Sequence, residues 1–275
     1  MRLNIVPAAT GARWVRQGMR VFFRRPLAVA GLFFMFLALT ALLSWLPLIG
    51  DVVALALIPA ATVGLMAAAR EVDAGRFPMP ALLFTGFRSG PVKARAMLVL
   101  GALYALLVLL VIGLSALLDD GRLAQMIAGS GGSITREMLT DPAIQDALRS
   151  SMNSIALASV LYLPISVLFW HAPALVLWHE VPVVKSLFFS TIAVLRNASA
   201  YLLYGLAWIG VTLGGWALLL TVSALLGNLN VAVSGMFPLS ITIAAMFYAS
   251  LWFSFRDSFS GPDDEAPATD TPASA

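Results

Sequence analysis

Six apolar runs decide what this chain can fold into. They extend over Leu27–Ile49, Val52–Ala69, Ala96–Leu118, Ile155–Trp178, Ala200–Leu226 and Val231–Phe255. A helix needs about 20 residues to cross a hydrocarbon core, and backbone polar groups in lipid must pair within their own segment. The runs therefore predict an all-α polytopic membrane helix bundle with six transmembrane helices. The connections 47–51 and 227–230 are so short that the spans they join must be antiparallel neighbours. Pro59, Pro164 and Pro238 lie inside the second, fourth and sixth runs. A proline in a membrane helix bends it rather than ending it, provided neighbours satisfy the freed carbonyl.

Charge orients the bundle. Of the 17 Lys and Arg residues, only Arg122, Arg136 and Arg149 fall outside the N-terminal tail, the 70–95 loop, the 179–199 loop and the C-terminal end. Basic loops face the cytoplasm, so both termini are expected inside, in the bacterial inner membrane, with the 119–154 loop outside. Only 11% of the chain is charged, well under the roughly 25% of soluble domains. The absence of cysteine excludes disulfides and thiolate metal sites. No phosphate-binding glycine motif occurs, so no cofactor and no nucleic acid is expected.

Three segments lie outside the spans. Residues 1–26 are expected to form a cytoplasmic basic amphipathic helix, with Arg13, Arg16, Arg20 and Arg24 on one face and Arg25 following. Trp14, Val15, Met19, Phe22 and Phe23 fill much of the rest, and such a helix should lie in the headgroup layer with its rings in the acyl boundary. The run after it is too long for a signal peptide, so the segment is expected to be retained. In the outer loop Asp141 reads as an N-cap with Pro142 at the first helical position, after a flexible GSGG at 129–132. Residues 256–275 read as a disordered acidic cytoplasmic tail.

Trp170 to Trp208 shows the plan of the whole 27–255 transmembrane domain. One run ends there, an amphipathic segment bounded by Lys185 and Arg196 follows, and the next run begins. Arg13 and Arg24 bracket a similar segment before the first run, and Arg76 and Arg88 bracket another before the third. This predicts three units, each an interfacial amphipathic helix followed by two spans, at about 12–69, 77–178 and 182–255. The segments GARWVRQGMRVFFRRPL, MAAAREVDAGRFPMPALLFTGFR and HAPALVLWHEVPVVKSLFFSTIAVLRN together resemble an uncharacterised proteobacterial inner-membrane protein family, a domain of unknown function. The last of them is distantly similar to the membrane domain attached to some glycerophosphodiesterases. The resemblance implies a six-helix inner-membrane protein and carries over no catalytic residue.

Few residues are candidates for chemistry. His171 is an ionisable side chain well inside a span, which marks an intramembrane polar site by default. A hydrogen bond to a neighbouring helix is the plainer role for one neutral histidine. His179 and Glu180 lie roughly 80° and 180° around an ideal helix from it, so no metal site is expected from the three. Glu180 is expected to pair with Lys185, Arg196 or an arginine of the middle loop. The spans' serines lack a base, so the chain is expected not to be an enzyme. Ala56, Ala60, Gly64 and Ala68 form a small-residue face on the second span, and Gly210 and Gly214 a GxxxG on the fifth. Contacts inside the monomer are the expected use of these faces, and a homo-oligomer the alternative. Two functions are weighed. One is a non-catalytic protein gripping anionic membrane lipid, or a membrane-protein partner, through Arg13, Arg16, Arg20, Arg24, Arg25, Lys185 and Arg196. The other is a translocator of a lipid or small apolar solute.

Overall fold

The computed structural model describes residues 2–47, 49–118, 125 and 141–260. The expected tail beyond 260, the GSGG segment and most of the acidic outer loop lie outside these residues. Helix α1 spans Ala9–Arg24, α2 Pro26–Leu43, and α3 Gly50–Asp73. A 3-10 turn at Pro80–Phe84 leads into the short α4, Thr85–Arg88, and then into α5, Pro91–Ala116. Helix α6, Pro142–Phe169, is followed by α7, Ala172–His179, then α8, Val183–Arg196, α9, Ala198–Leu225, and α10, Leu229–Ser258. Six spans result, with α6 and α7 together forming the fourth. The fold is the expected all-α polytopic bundle.

Local chemistry sets the ends. Pro26, Pro91 and Pro142 open α2, α5 and α6, where the missing N–H costs nothing. The Asp141 carboxylate accepts from the Ala143 N–H at 2.8 Å, so α6 begins well before the apolar run. The helices continue through Pro59, Pro164 and Pro238.

The packing follows the three-unit plan, although the second unit opens on a 3-10 turn and a four-residue helix in place of the expected amphipathic helix. Each interfacial segment lies against the second span of the unit before it. The Pro80–Arg88 segment sits on α3, where a Cβ on Gly64 would lie 2.7 Å from Leu83 Cα. The Ser190 hydroxyl of α8 donates to the Val167 carbonyl of α6 at 2.9 Å. Helix α1 closes the circle on α10, where a Cβ on Gly18 would lie 2.4 Å from Ser250 Cβ. The second spans converge, with the Arg70 guanidinium 5.9 Å from the Trp178 ring and 5.4 Å from Trp252.

Helix α1 corrects one expectation. Its apolar face does not dip into acyl chains: Trp14, Val15, Val21 and Phe22 are buried in the bundle, and only Phe23 turns outward among its large rings. Gly11 shares the buried face, and a Cβ there would strike the Ala200 carbonyl oxygen of α9. Lipid and protein interiors are equally apolar, so periodicity cannot say which one a stripe meets; the interleaved glycines let the protein win. Helix α8 does the reverse. Its inward face is Ser186, Ser190 and Ala193, while Val184, Phe188 and Leu195 point outward.

A short antiparallel ribbon locks the N-terminus. Arg2–Leu3 pairs with Phe259–Ser260 just beyond α10. The buried Asn197 side chain accepts from the Val6 N–H at 2.8 Å and donates to the Asn4 carbonyl at 3.0 Å. These bonds tie the α8–α9 junction to the same ribbon. Substituting Gly18 by Leu should therefore destabilise the protein by about 1–3 kcal/mol through overpacking, read as a lower melting temperature in detergent. Gly210→Ala is expected to leave the melting temperature unchanged, because no atom lies within 4 Å of where its Cβ would sit.

Candidate functional site

Three groups of polar side chains lie at the basic end of the bundle. The first surrounds His171. Pro173 has no N–H for the Phe169 carbonyl, and the fourth span breaks at Trp170–His171. In an unbroken helix the His171 N–H would reach the Val167 carbonyl. Here the Ser190 hydroxyl stands between them, accepting from His171 N–H at 3.0 Å and donating to Val167. The buried imidazole meets the Tyr201 hydroxyl through Nε2 at 2.5 Å. Its Nδ1 has no hydrogen-bond partner among the described residues. Phe255 and Phe259 pack against the ring at 5.7 and 5.4 Å between centroids.

The second group is ionic. Asp73, at the end of α3, faces both Arg24 of α1 (3.9 Å) and Arg256 of α10 (3.4 Å). Asp257 takes Arg256 at 3.0 Å and accepts from Trp14 Nε1 at 3.0 Å. Arg76 donates to both oxygens of Glu71, and this hydrogen bond holds the guanidinium above the usual arginine pKa. Glu180 pairs with Lys93 at the start of α5, 3.0 Å away, not with Lys185, Arg196 or an arginine. His171 and Glu180, the two candidates for an intramembrane polar site, thus have separate partners, Tyr201 and Lys93.

The third group has no carboxylate partner among the described residues. Arg13, Arg16, Arg20, Arg25, Lys185 and Arg196 are all exposed. Arg13 donates to the Thr10 hydroxyl. Arg16, Arg20 and Arg25 make no ion pair among the described residues.

The small-residue faces divide. Gly64 receives Leu83, as described. Ala56 offers its carbonyl to Gly101 of α5, where a Cβ would lie 2.1 Å from it, and Ala60 and Ala68 are buried. Gly210 and Gly214 face outward with nothing beside them.

A cavity of about 230 Å³ lies among the spans, beside Pro59 and Pro173. Pro59 and Thr62 of α3, Tyr104 of α5, Tyr162 and Ser166 of α6 and Tyr248 of α10 line it among others. The Tyr104 and Tyr162 hydroxyls lie 2.8 Å apart. Trp170 reaches the cavity, but His171 is not among its lining residues.

Comparison with known proteins fits this architecture. The chain is 40% identical, over 270 residues, to a probable inner membrane protein of Burkholderia thailandensis, and the match covers 97% of each chain. The chain belongs to that family. It is thus a multi-pass inner-membrane protein, as the six spans require. No family model and no solved structure matches the chain, so the likeness to the membrane domain of some glycerophosphodiesterases finds no support beyond the residues that suggested it.

Sequence reading singled out His171 but not its partners. Ser190 and Tyr201 are common residue types in a membrane helix, and only the proline two residues past His171 hints at a broken ladder needing repair. Replacing Ser190 by Ala should cost about 1–3 kcal/mol by leaving a buried N–H and C=O unpaired. Tyr201→Phe, which removes one hydroxyl, should cost a similar amount, and both are measurable as thermal shifts in detergent.

Proposed function

We infer that this is a non-catalytic integral membrane protein that binds anionic lipid headgroups at its basic end. The supporting observation is the state of α1. One face is clamped to α9 and α10, while Arg16, Arg20 and Arg25 are exposed and have no carboxylate partner among the described residues. Arginine left unpaired beside a membrane finds its nearest counter-charge in lipid phosphate, at about 1 kcal/mol per residue near the surface. Because the helix is held by the bundle, the guanidinium groups are pre-positioned and little ordering entropy is lost on binding. With the basic end in the cytoplasm, as the charge bias implies, these groups meet the more anionic leaflet surface. Lys185 and Arg196 add exposed basic groups on α8, which also turns Val184, Phe188 and Leu195 outward.

The test replaces Arg13, Arg16, Arg20 and Arg25 with Gln and leaves Arg24 in its pair with Asp73. Retention of phosphatidylglycerol by the purified protein should fall by roughly tenfold or more, since each arginine contributes about 1 kcal/mol, and the effect should shrink in high salt. Unchanged retention would exclude the reading.

The cavity favours a second reading, a translocator of a lipid or small apolar solute. The mostly apolar lining suits an acyl chain or a small apolar solute, and the facing hydroxyls of Tyr104 and Tyr162 can meet a lipid's polar end at depth. On this reading, liposomes holding the protein expose a fluorescent inner-leaflet lipid to an external quencher, and Ser166→Trp, which fills the cavity, slows that exposure. A rate equal to that of protein-free liposomes would rule it out.

A further inference from the structure

A larger pocket, about 570 Å³, opens at the basic end between the start of α5 and the hinge joining α7 to α8. Val92, Lys93 and Ala96 form one wall, and Val176, Glu180 and Val181 the other. The floor is apolar, and the two charged residues are opposite in sign. Lys93 is held against the wall with its side chain 26% exposed, whereas the Glu180 side chain is 74% exposed over the opening. Val92 at the rim is exposed, and Val99 and Leu106 continue an outward apolar face along α5. A volume of this order suits a small-molecule group, and the rim leads directly to lipid-facing surface.

The backbone at Glu180 is unusual. It has φ 54 and ψ 29, and no other non-glycine residue described has positive φ. The turn closes α7 with the Val181 N–H donating to the Leu175 carbonyl at 3.2 Å. Helix ends of this kind normally take glycine or asparagine. The cap itself therefore has no need of a carboxylate, and a glutamate here accepts backbone strain. What it gains is a carboxylate held over the pocket, facing the Lys93 amine.

We propose that this pocket binds the headgroup of phosphatidylethanolamine, with the phosphate on Lys93 and the primary ammonium on Glu180. The walls carry one cation and one anion, so a zwitterion exchanges the single Lys93–Glu180 pair for two. A headgroup with only negative charge would set its charge against Glu180. A choline headgroup has no N–H to donate to the carboxylate. The acyl chains follow Val92, Val99 and Leu106 into the bilayer. The site is distinct from the arginine face of α1 and does not rest on the reading given for it.

The full-length protein is purified in detergent, mixed with equal amounts of phosphatidylethanolamine, phosphatidylcholine and phosphatidylglycerol, and its retained lipids are identified by native mass spectrometry. Ethanolamine lipid should be retained roughly tenfold over choline lipid, the ratio that follows from one charge-assisted hydrogen bond. Glu180→Gln should abolish that preference. Glu180→Gly should abolish it too while the melting temperature holds or rises, because glycine relieves the left-handed turn. The α1 arginine variant should keep the preference. Equal retention of the two lipids by the unaltered protein would overturn the proposal, and so would a preference that survives both Glu180 substitutions. Saturable binding of free phosphoethanolamine without retained ethanolamine lipid would reassign the pocket to a soluble ligand and overturn it as well.

Discussion

Close approach of helix backbones is the interaction on which this structure depends. Between helices in lipid there is no hydrophobic driving force, so packing contact must supply the attraction. The chain provides it with small residues at the crossings: Gly18 against Ser250, Gly64 against Leu83, and Gly101 against the Ala56 carbonyl. Larger groups then fill the flanks. Trp14, Trp170, Tyr204 and Phe247 meet in edge-on and tilted contacts around the α1 crossing, with the Trp14–Tyr204 centroids 5.9 Å apart. The rings set the tilt, and the glycines set the distance.

These crossings repeat around the molecule because the units repeat. Each interfacial segment rests on the preceding unit's second span, so the chain forms a closed circuit in which α1 and α10 meet last. The ribbon of Arg2–Leu3 with Phe259–Ser260 seals that joint, and Asp73 bridges α3 to both helices through Arg24 and Arg256. The circuit is unequal where sequence forces it. The second unit's second span breaks at His171, and Ser190 repairs the break from the neighbouring α8. The third unit's first span, α9, stays largely lipid-facing, so its glycines Gly210 and Gly214 meet no helix.

Sequence made the spans legible because apolar runs and proline positions are local signals, and hydrocarbon leaves a backbone few alternatives. It made the N-cap at Asp141 legible for the same reason. Destinations were harder. The stripe of α1 is as regular as that of any surface helix, yet Trp14 ends fully buried, because an apolar face carries no mark of whether lipid or protein will cover it. The only mark was the pair of glycines, Gly11 and Gly18, on that face. The Lys93–Glu180 pair joins the start of α5 to the end of α7, and nothing local to either residue announces the other. His171 drew notice because ionisable groups in spans are costly. Its partner Tyr201 lies in another unit and became visible only when the circuit closed.

Polar groups inside the bundle serve the fold. Ser190 completes an interrupted helix bond, Asn197 and Asn4 hold the ribbon, and Tyr204 and Ser250 bond across the α9–α10 contact at 2.6 Å. Charges follow a different rule. Among the described residues the ion pairs at the basic end engage Arg24, Arg76, Arg256 and Lys93, and the outer arginines of α1 and both basic residues of α8 make none. A chain needing charge only for orientation in the membrane could scatter those residues through flexible loops. Here they are fixed on rigid helices, whose positions the packing of the bundle sets. Rigid placement of these cations is what the proposed headgroup binding draws on, while the Lys93–Glu180 pocket, built from the start of α5 and the end of α7, stands as a separate proposal with its own selectivity.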